Sequence, residues 1–152
     1  ENFYKNLAQS ISSRFQKIDF LFILIGIFQR LSPLTHFSHQ EWSKLMEINI
    51  NSYWRILKEL EPIIKRSQNP KIIFINNSKI SNGKAYHNIL SISQAALKTV
   101  ASIYKSENKR LGIDTRIIEI PNLENGITAM TAGKKKLVTE NFTKIIIEKS
   151  FC

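Results

Sequence analysis

The stretch covering residues 71–97, KIIFINNSKISNGKAYHNILSISQAAL, sets the tightest limit on what this chain can fold into. Four consecutive apolar residues, 72–75, read as a strand buried on both faces of a parallel sheet. A polar loop rich in Asn, Ser and Gly follows. A helical pattern then begins at Ser91, where Ser91 and Gln94 form an S-x-x-Q capping pattern. A buried strand, a loop at its carboxyl end and then a helix is the place where open α/β sheets bind ligands.

The flanking segments repeat that alternation. Phe3, Leu7, Ile11 and Phe15 recur every four residues and predict one face of a helix ending near Lys17. Asp19 leads into FLFILIG, a continuous apolar strand closed by Gly26, and residues 27–37 read as a loop with Pro33 at a turn. Ser38 and Glu41 form an S-x-x-E capping box for a long helix over 38–68. Its apolar positions include Trp42, Leu45, Met46, Tyr53, Leu57 and Leu60. Trp54, Ile56, Ile63 and Ile64 widen the stripe enough to leave apolar surface for a partner. Pro62 is expected to kink this helix, and Asn69-Pro70 to end it. The helix from Ser91 carries Ala95, Leu97, Val100, Ile103 and Tyr104 and ends at a C-cap glycine, Gly112. Residues 114–120 form a third strand, stopped by Pro121, and 137–147 read as a short terminal helix. Strands alternating with helices mean α/β: a Rossmann-like open parallel sheet flanked by helices, in a single domain over residues 1–152.

Composition narrows the function classes. The net charge is +10. Lys outnumbers Arg 16 to 6 and Ile outnumbers Val 25 to 2, beside 13 Asn. Lys, Ile and Asn share A/T-rich codons, so genome composition accounts for much of the basic balance. The only basic run is Lys134-Lys135-Lys136, and no basic face with interleaved aromatics is present, which argues against nucleic acid as a partner. The single cysteine, Cys152, excludes an internal disulfide and a Cys-based metal site. His36, His39 and His87 read as polar loop and helix-entry residues, so no metal is expected. The apolar run 20–28 is too short to span a bilayer, no membrane partner is expected, and a reducing cytoplasm is the expected location. The chain opens on Glu1 rather than Met, and is expected to be a fragment, processed or downstream, of a longer protein.

Three positions stand at telling spacings. The run MEININ (46–51) puts an asparagine at 49, and Asn77 follows the apolar run with Ser78 next to it. Leu90-Ser91-Ile92-Ser93-Gln94 comes after the polar loop. With no gap between them, these positions align with the catalytic stretch of the short-chain dehydrogenase/reductase family, which the chain resembles from about Leu7 to Met130. The resemblance implies an ancestral NAD- or NADP-dependent oxidoreductase and the C-terminal part of the family's nucleotide-binding fold. It places the catalytic positions on Asn49, Asn77, Leu90 and Gln94, and the cofactor-side positions on Gly26, Gln94, Pro121 and Thr128.

The departures from the family pattern bear on activity. The strand motif D-x-L-V-N-N-A-G keeps only its glycine, Gly26, with Ile23, Leu24 and Ile25 in place of the two asparagines and the alanine. Asn49 is retained, either to hold a proton-relay water or as a structural amide. Asn77 stands at the serine position and can still donate through its amide. Leu90 replaces the tyrosine acid and has no proton to give; Gln94 replaces the lysine that lowers that tyrosine's pKa and binds the ribose, and it carries no charge. Tyr86, one turn upstream, lacks a lysine at the matching spacing, and Lys98 reads as a solvated helix lysine. After the third strand Pro121 is present, Asn122 replaces the glycine, and Thr128–Met130 resembles the following T-x-M. None of the five glycines forms a phosphate-cradling strand-to-helix turn, so the family's first three strands are expected to be missing.

Four functions are open at this point. The first is a decayed, truncated oxidoreductase, a pseudoenzyme. The second is an interaction module, either a homo-oligomer through the helices over 38–68 and 91–110 or a partner of a separate N-terminal half. The third is an active reductase with an unusual acid, and the fourth a basic nucleic-acid binder.

Overall fold

The computed structural model describes residues 2–24, 26, 27, 30–77 and 80–119. Pro121, Thr128 and the helix expected over 137–147 lie outside these residues. In chain order the elements are α1 (Asn2–Arg14), β1 (Phe20–Ile23), a 3-10 turn (Leu34–His36), α2 (His39–Met46), a π-helical turn (Glu47–Asn51), α3 (Ser52–Ile64), β2 (Lys71–Asn76), α4 (Asn88–Asn108), a 3-10 turn (Lys109–Leu111) and β3 (Asp114–Glu119). The three strands form one parallel sheet in the order β1-β2-β3. Parallel neighbours need a long crossover, and each crossover here carries helix. This is the α/β architecture that the alternation implied.

The register sorts the side chains between two faces. Leu21 and Ile23 pair with Ile72 and Phe74, which pair in turn with Thr115 and Ile117. Because strand side chains alternate, these residues share one face. On it Ile23, Ile72 and Phe74 join Ala8 of α1, Tyr53, Leu57, Leu60, Ile63 and Ile64 of α3, and Leu97, Ala101 and Tyr104 of α4 in a single core cluster. The opposite face carries Phe20 and Phe22, exposed by 41% and 43%, beside the buried Ile73 and Ile75. The described helices of the core thus cover one side of the sheet.

Local chemistry sets the helix ends. Ser38 caps α2: its hydroxyl accepts the Glu41 N–H, and the Glu41 carboxylate accepts the Ser38 N–H at 2.9 Å, the expected reciprocal box. Gly112 closes the turn after α4 at a φ of 70°, the left-handed conformation a glycine adopts without steric cost. The Asp19 carboxylate, just before β1, accepts from the Ser67 hydroxyl and from Lys17, and these bonds hold its pKa below the ordinary carboxylate value. They tie the start of β1 to the connection that leads into β2.

Four expectations are corrected. β1 ends at Ile23 instead of reaching Gly26, and past it the backbone of Ile27 is bonded by the Asn49 side chain. The long helix changes its hydrogen-bond pattern at Glu47–Asn51, a π turn the sequence did not announce, and ends at Ile64, two residues past Pro62 and before the expected Asn69-Pro70. A single-residue widening of this kind shifts the register of the following turns. α4 begins at Asn88, not Ser91: the Leu90 and Ser91 N–H groups already donate to the His87 carbonyl, so Ser91 lies inside the helix and is not its cap. Finally, α1 packs through Ala8 and the partly buried Ile11, while Phe3 and Phe15 are exposed by 69% and 62%.

Candidate functional site

The carboxyl ends of β1 and β2, the π turn and the first two turns of α4 meet at one end of the sheet. Asn77 directly follows β2 and is buried. Its backbone N–H donates to the Oε1 of Gln94, 2.8 Å away, and Gln94 is itself 9% exposed. The structure therefore brings together the positions that the resemblance assigned to the serine and the lysine. The bond it forms between them is structural. An amide oxygen takes up a backbone donor that a lysine ammonium could not serve, since an ammonium has donors only.

Leu90 is buried in the first turn of α4, and its carbonyl accepts the Ser93 hydroxyl at 2.9 Å. It offers no ionisable group. Asn49 is fully buried on the π turn, with both halves of its carboxamide committed to one residue: Oδ1 accepts the Ile27 N–H at 2.7 Å and Nδ2 donates to the Ile27 carbonyl at 2.9 Å. This pairing is what a structural amide would make. It fixes the chain as it leaves β1. Gly26 sits beside it, and an added Cβ would stand 3.9 Å from the Asn49 Oδ1, an ordinary contact, so space among the described residues does not require glycine there.

Three described tyrosines stand outside the position of the family's acid. Tyr86 lies outside α4, is exposed by 62% and has a φ of 65°. That conformation costs a bulky residue roughly 1 kcal/mol or more. Tyr53 and Tyr104 are buried, and burial pushes both phenols above the ordinary tyrosine range, with the Glu61 and Glu107 carboxylates adding to the effect at Tyr104. Both belong to the core cluster under the sheet.

Sequence reasoning missed two polar residues here. Asn76, the last residue of β2, is fully buried, and neither of its amide atoms is bonded among the described residues. Each unpaired group costs about 1–3 kcal/mol. Asn88, at a φ of 39°, bonds three carbonyls from two loops. Asn88 is the first residue of α4, whose N-cap, His87, makes no side-chain cap bond.

Residues 1–140 match the family model described as enoyl-(acyl carrier protein) reductase. The chain belongs to the short-chain dehydrogenase/reductase family. Two relatives in this oxidoreductase family are the uncharacterized oxidoreductase YciK of Escherichia coli K12, 21% identical over 68% of this chain and 41% of its own length, and the short chain dehydrogenase adrF of Penicillium rubens, 23% identical over 76% and 49%. Among solved structures, a protein of Escherichia coli CFT073 complexed with NADPH superposes with a TM-score of 0.71 at 19% identity, covering 78% of this chain and 49% of the other. The chain spans about half the length of the relatives it matches.

The family binds nicotinamide cofactors, and the described residues fit one poorly. The charge the family places against the ribose is absent at Gln94, whose acceptor is engaged by Asn77. A cleft of about 370 Å³ lies elsewhere, at the amino end of β3, where Lys105, Lys109, Ile113 and Thr115 are among its lining residues. Among the described residues no group of three or more His, Cys, Asp or Glu could hold a metal, and no helix is long and apolar enough to cross a membrane.

Proposed function

We propose that this chain is a catalytically silent member of the family, a pseudoenzyme in which the acid and its activating cation have been exchanged for residues that hold the fold. The observation that carries this reading is the 2.8 Å bond from the Asn77 N–H to the Gln94 Oε1. It turns the position of the ribose-binding cation into an anchor between β2 and α4, while the buried Leu90 leaves the proton-donor position empty of acid. The test is titration with NAD(H) and NADP(H), followed by the fluorescence of Trp42 and Trp54. No saturable change is expected up to millimolar cofactor. Micromolar saturation, about −8 kcal/mol, would show that a cofactor site persists. Turnover that disappears in Tyr86→Phe would replace this reading with that of an active reductase using a displaced acid.

A second reading, an interaction module, is favoured by the exposure of Trp54 on α3 and of Ile92 and Ile103 on α4, at 56%, 36% and 52%. Large apolar side chains on two helices suit a homo-oligomer built on the 38–68 and 91–110 segments, since apolar surface of this kind marks association sites. The edge of β1, with Phe20 and Phe22 exposed, suits instead the N-terminal half of such a fold, whether in the same polypeptide or separate. A mass that rises with concentration in sedimentation, and falls to the monomer in Trp54→Lys, would support the homo-oligomer. A monomer at all concentrations would remove it.

A further inference from the structure

The loop that leaves β1 and the loop that leaves β2 are bonded to each other through one side chain. The Nδ2 of Asn88 donates to the carbonyls of Arg30 at 3.0 Å and Ser32 at 3.3 Å in the first loop, and to that of Tyr86 at 2.9 Å in the second. The Ser32 N–H adds a backbone bond to the same Tyr86 carbonyl at 3.1 Å. The other atom of the carboxamide, Oδ1, accepts the Ile89 N–H at 2.7 Å and so joins the cluster to the first turn of α4. Arg30 ties the first loop to α2 as well, through the Glu41 carboxylate at 3.1 Å and the His36 carbonyl at 3.2 Å.

We propose that Asn88 is the positioning residue of this end of the sheet: its carboxamide fastens the segment of Arg30 and Ser32 to Tyr86 and the first turn of α4, and these bonded segments open as one unit. Asparagine alone meets the three demands made at this position. The site needs an amide nitrogen to serve three carbonyls and an oxygen acceptor for the Ile89 N–H. It also needs a backbone at a φ of 39°, which asparagine accepts more readily than most residues. Aspartate has the acceptor and the backbone tolerance but no donor. Glycine has the backbone tolerance alone. Asn88 is buried, so water does not readily replace the bonds it makes. The proposal concerns how the loops are held and stands whether or not the chain turns over a substrate.

Amide hydrogen exchange tests it in the unmodified chain first. The Ser32 amide reports the bond between the loops, and the Ile89 amide reports the bond of the Asn88 side chain to the first turn of α4. If one side chain holds both, they exchange through a shared local opening and show protection equal to within about twofold. In Asn88→Asp, which keeps the acceptor for the Ile89 N–H and loses the donors, Ser32 exchange is expected to rise roughly tenfold or more, the scale of one lost buried bond. The amides of Phe74 and Ile75, inside β2, exchange through global unfolding and should accelerate by no more than the same factor, staying far more protected than Ser32.

In Asn88→Gly, which keeps only the backbone tolerance, the Ser32 and Ile89 amides should both accelerate. Protection of Ser32 and Ile89 that differs by more than about tenfold in the unmodified chain would show two independent openings and overturn the proposal. So would an unchanged Ser32 rate in Asn88→Asp. The first comparison needs no variant and decides the matter even if both substitutions prevent folding.

Discussion

Replacing Gln94 with lysine, the residue the family motif carries there, is expected to destabilise this chain by about 2–4 kcal/mol. Gln94 is nearly closed to solvent and its Oε1 accepts the Asn77 N–H at 2.8 Å. Lysine brings donors only, so the Asn77 N–H would lose its acceptor in a buried setting, a cost of about 1–3 kcal/mol. The ammonium would also be drawn out of water, which adds to the loss. Burial lowers the pKa of such a lysine in the folded state relative to the unfolded chain, so the unfolded chain binds more protons. Stability of the variant should therefore rise with pH as the solution approaches about pH 10. Gln94→Glu is the control: it keeps an acceptor for Asn77 and should lose less at neutral pH. Urea unfolding of the three proteins makes the comparison. An unchanged midpoint for Gln94→Lys would mean that the bond to Asn77 contributes little, and the reading of Gln94 as an anchor between β2 and α4 would fall.

The main lines of the fold were legible because they rest on signals that act locally. The apolar run of residues 72–75 is the middle of β2, and the Ser38/Glu41 pair caps α2 as its spacing implies. Gly112 takes the positive φ expected of a C-cap glycine. The misplaced features are those decided by contacts between elements. The π turn at Glu47–Asn51 accompanies the reach of Asn49 to Ile27, 22 residues away, and no periodicity within the helix announces it. In α1 the four-residue spacing of Phe3, Leu7, Ile11 and Phe15 marked a face, but the helix turns Ala8 into the cluster and leaves the outer phenylalanines in water.

The candidate site was legible as positions and not as bonds. Motif spacing placed Asn77 and Gln94 in one site, and the structure joins them. That Gln94 would accept a backbone N–H depends on the helix starting at Asn88, which sets where the second turn of α4 faces the end of β2. The S-x-x-Q pattern pointed to a start at Ser91 because such patterns mark possible caps, whereas the cap in use is decided by which carbonyl the first N–H groups reach. Asn88 went unread for the same reason: its three carbonyl partners include two that lie 56 and 58 residues away in sequence.

Phe74→Ala should cost about 3–5 kcal/mol, the range for deleting a buried phenylalanine from a core. Phe74 lies at the centre of the middle strand, fully buried, in one cluster with Tyr53, Leu57 and Leu97. A domain of ordinary stability, roughly 5–15 kcal/mol, would lose a large part of its margin. Phe22→Ala on the neighbouring strand is the informative companion. Phe22 points to the opposite face and is 43% exposed, so the isolated chain should lose less than about half as much, since the area it removes from water is smaller. Urea midpoints measured at low and high protein concentration separate the possibilities. A small, concentration-independent cost at Phe22 leaves that face of β1 open to solvent. A cost rivalling that of Phe74 would mean that another layer covers it, and a cost that grows with protein concentration would identify that layer as a second chain. Ile73 and Ile75 on that face of β2 are already buried, so the two phenylalanines ask whether cover extends outward to β1, as a partner chain or a further part of the fold would supply.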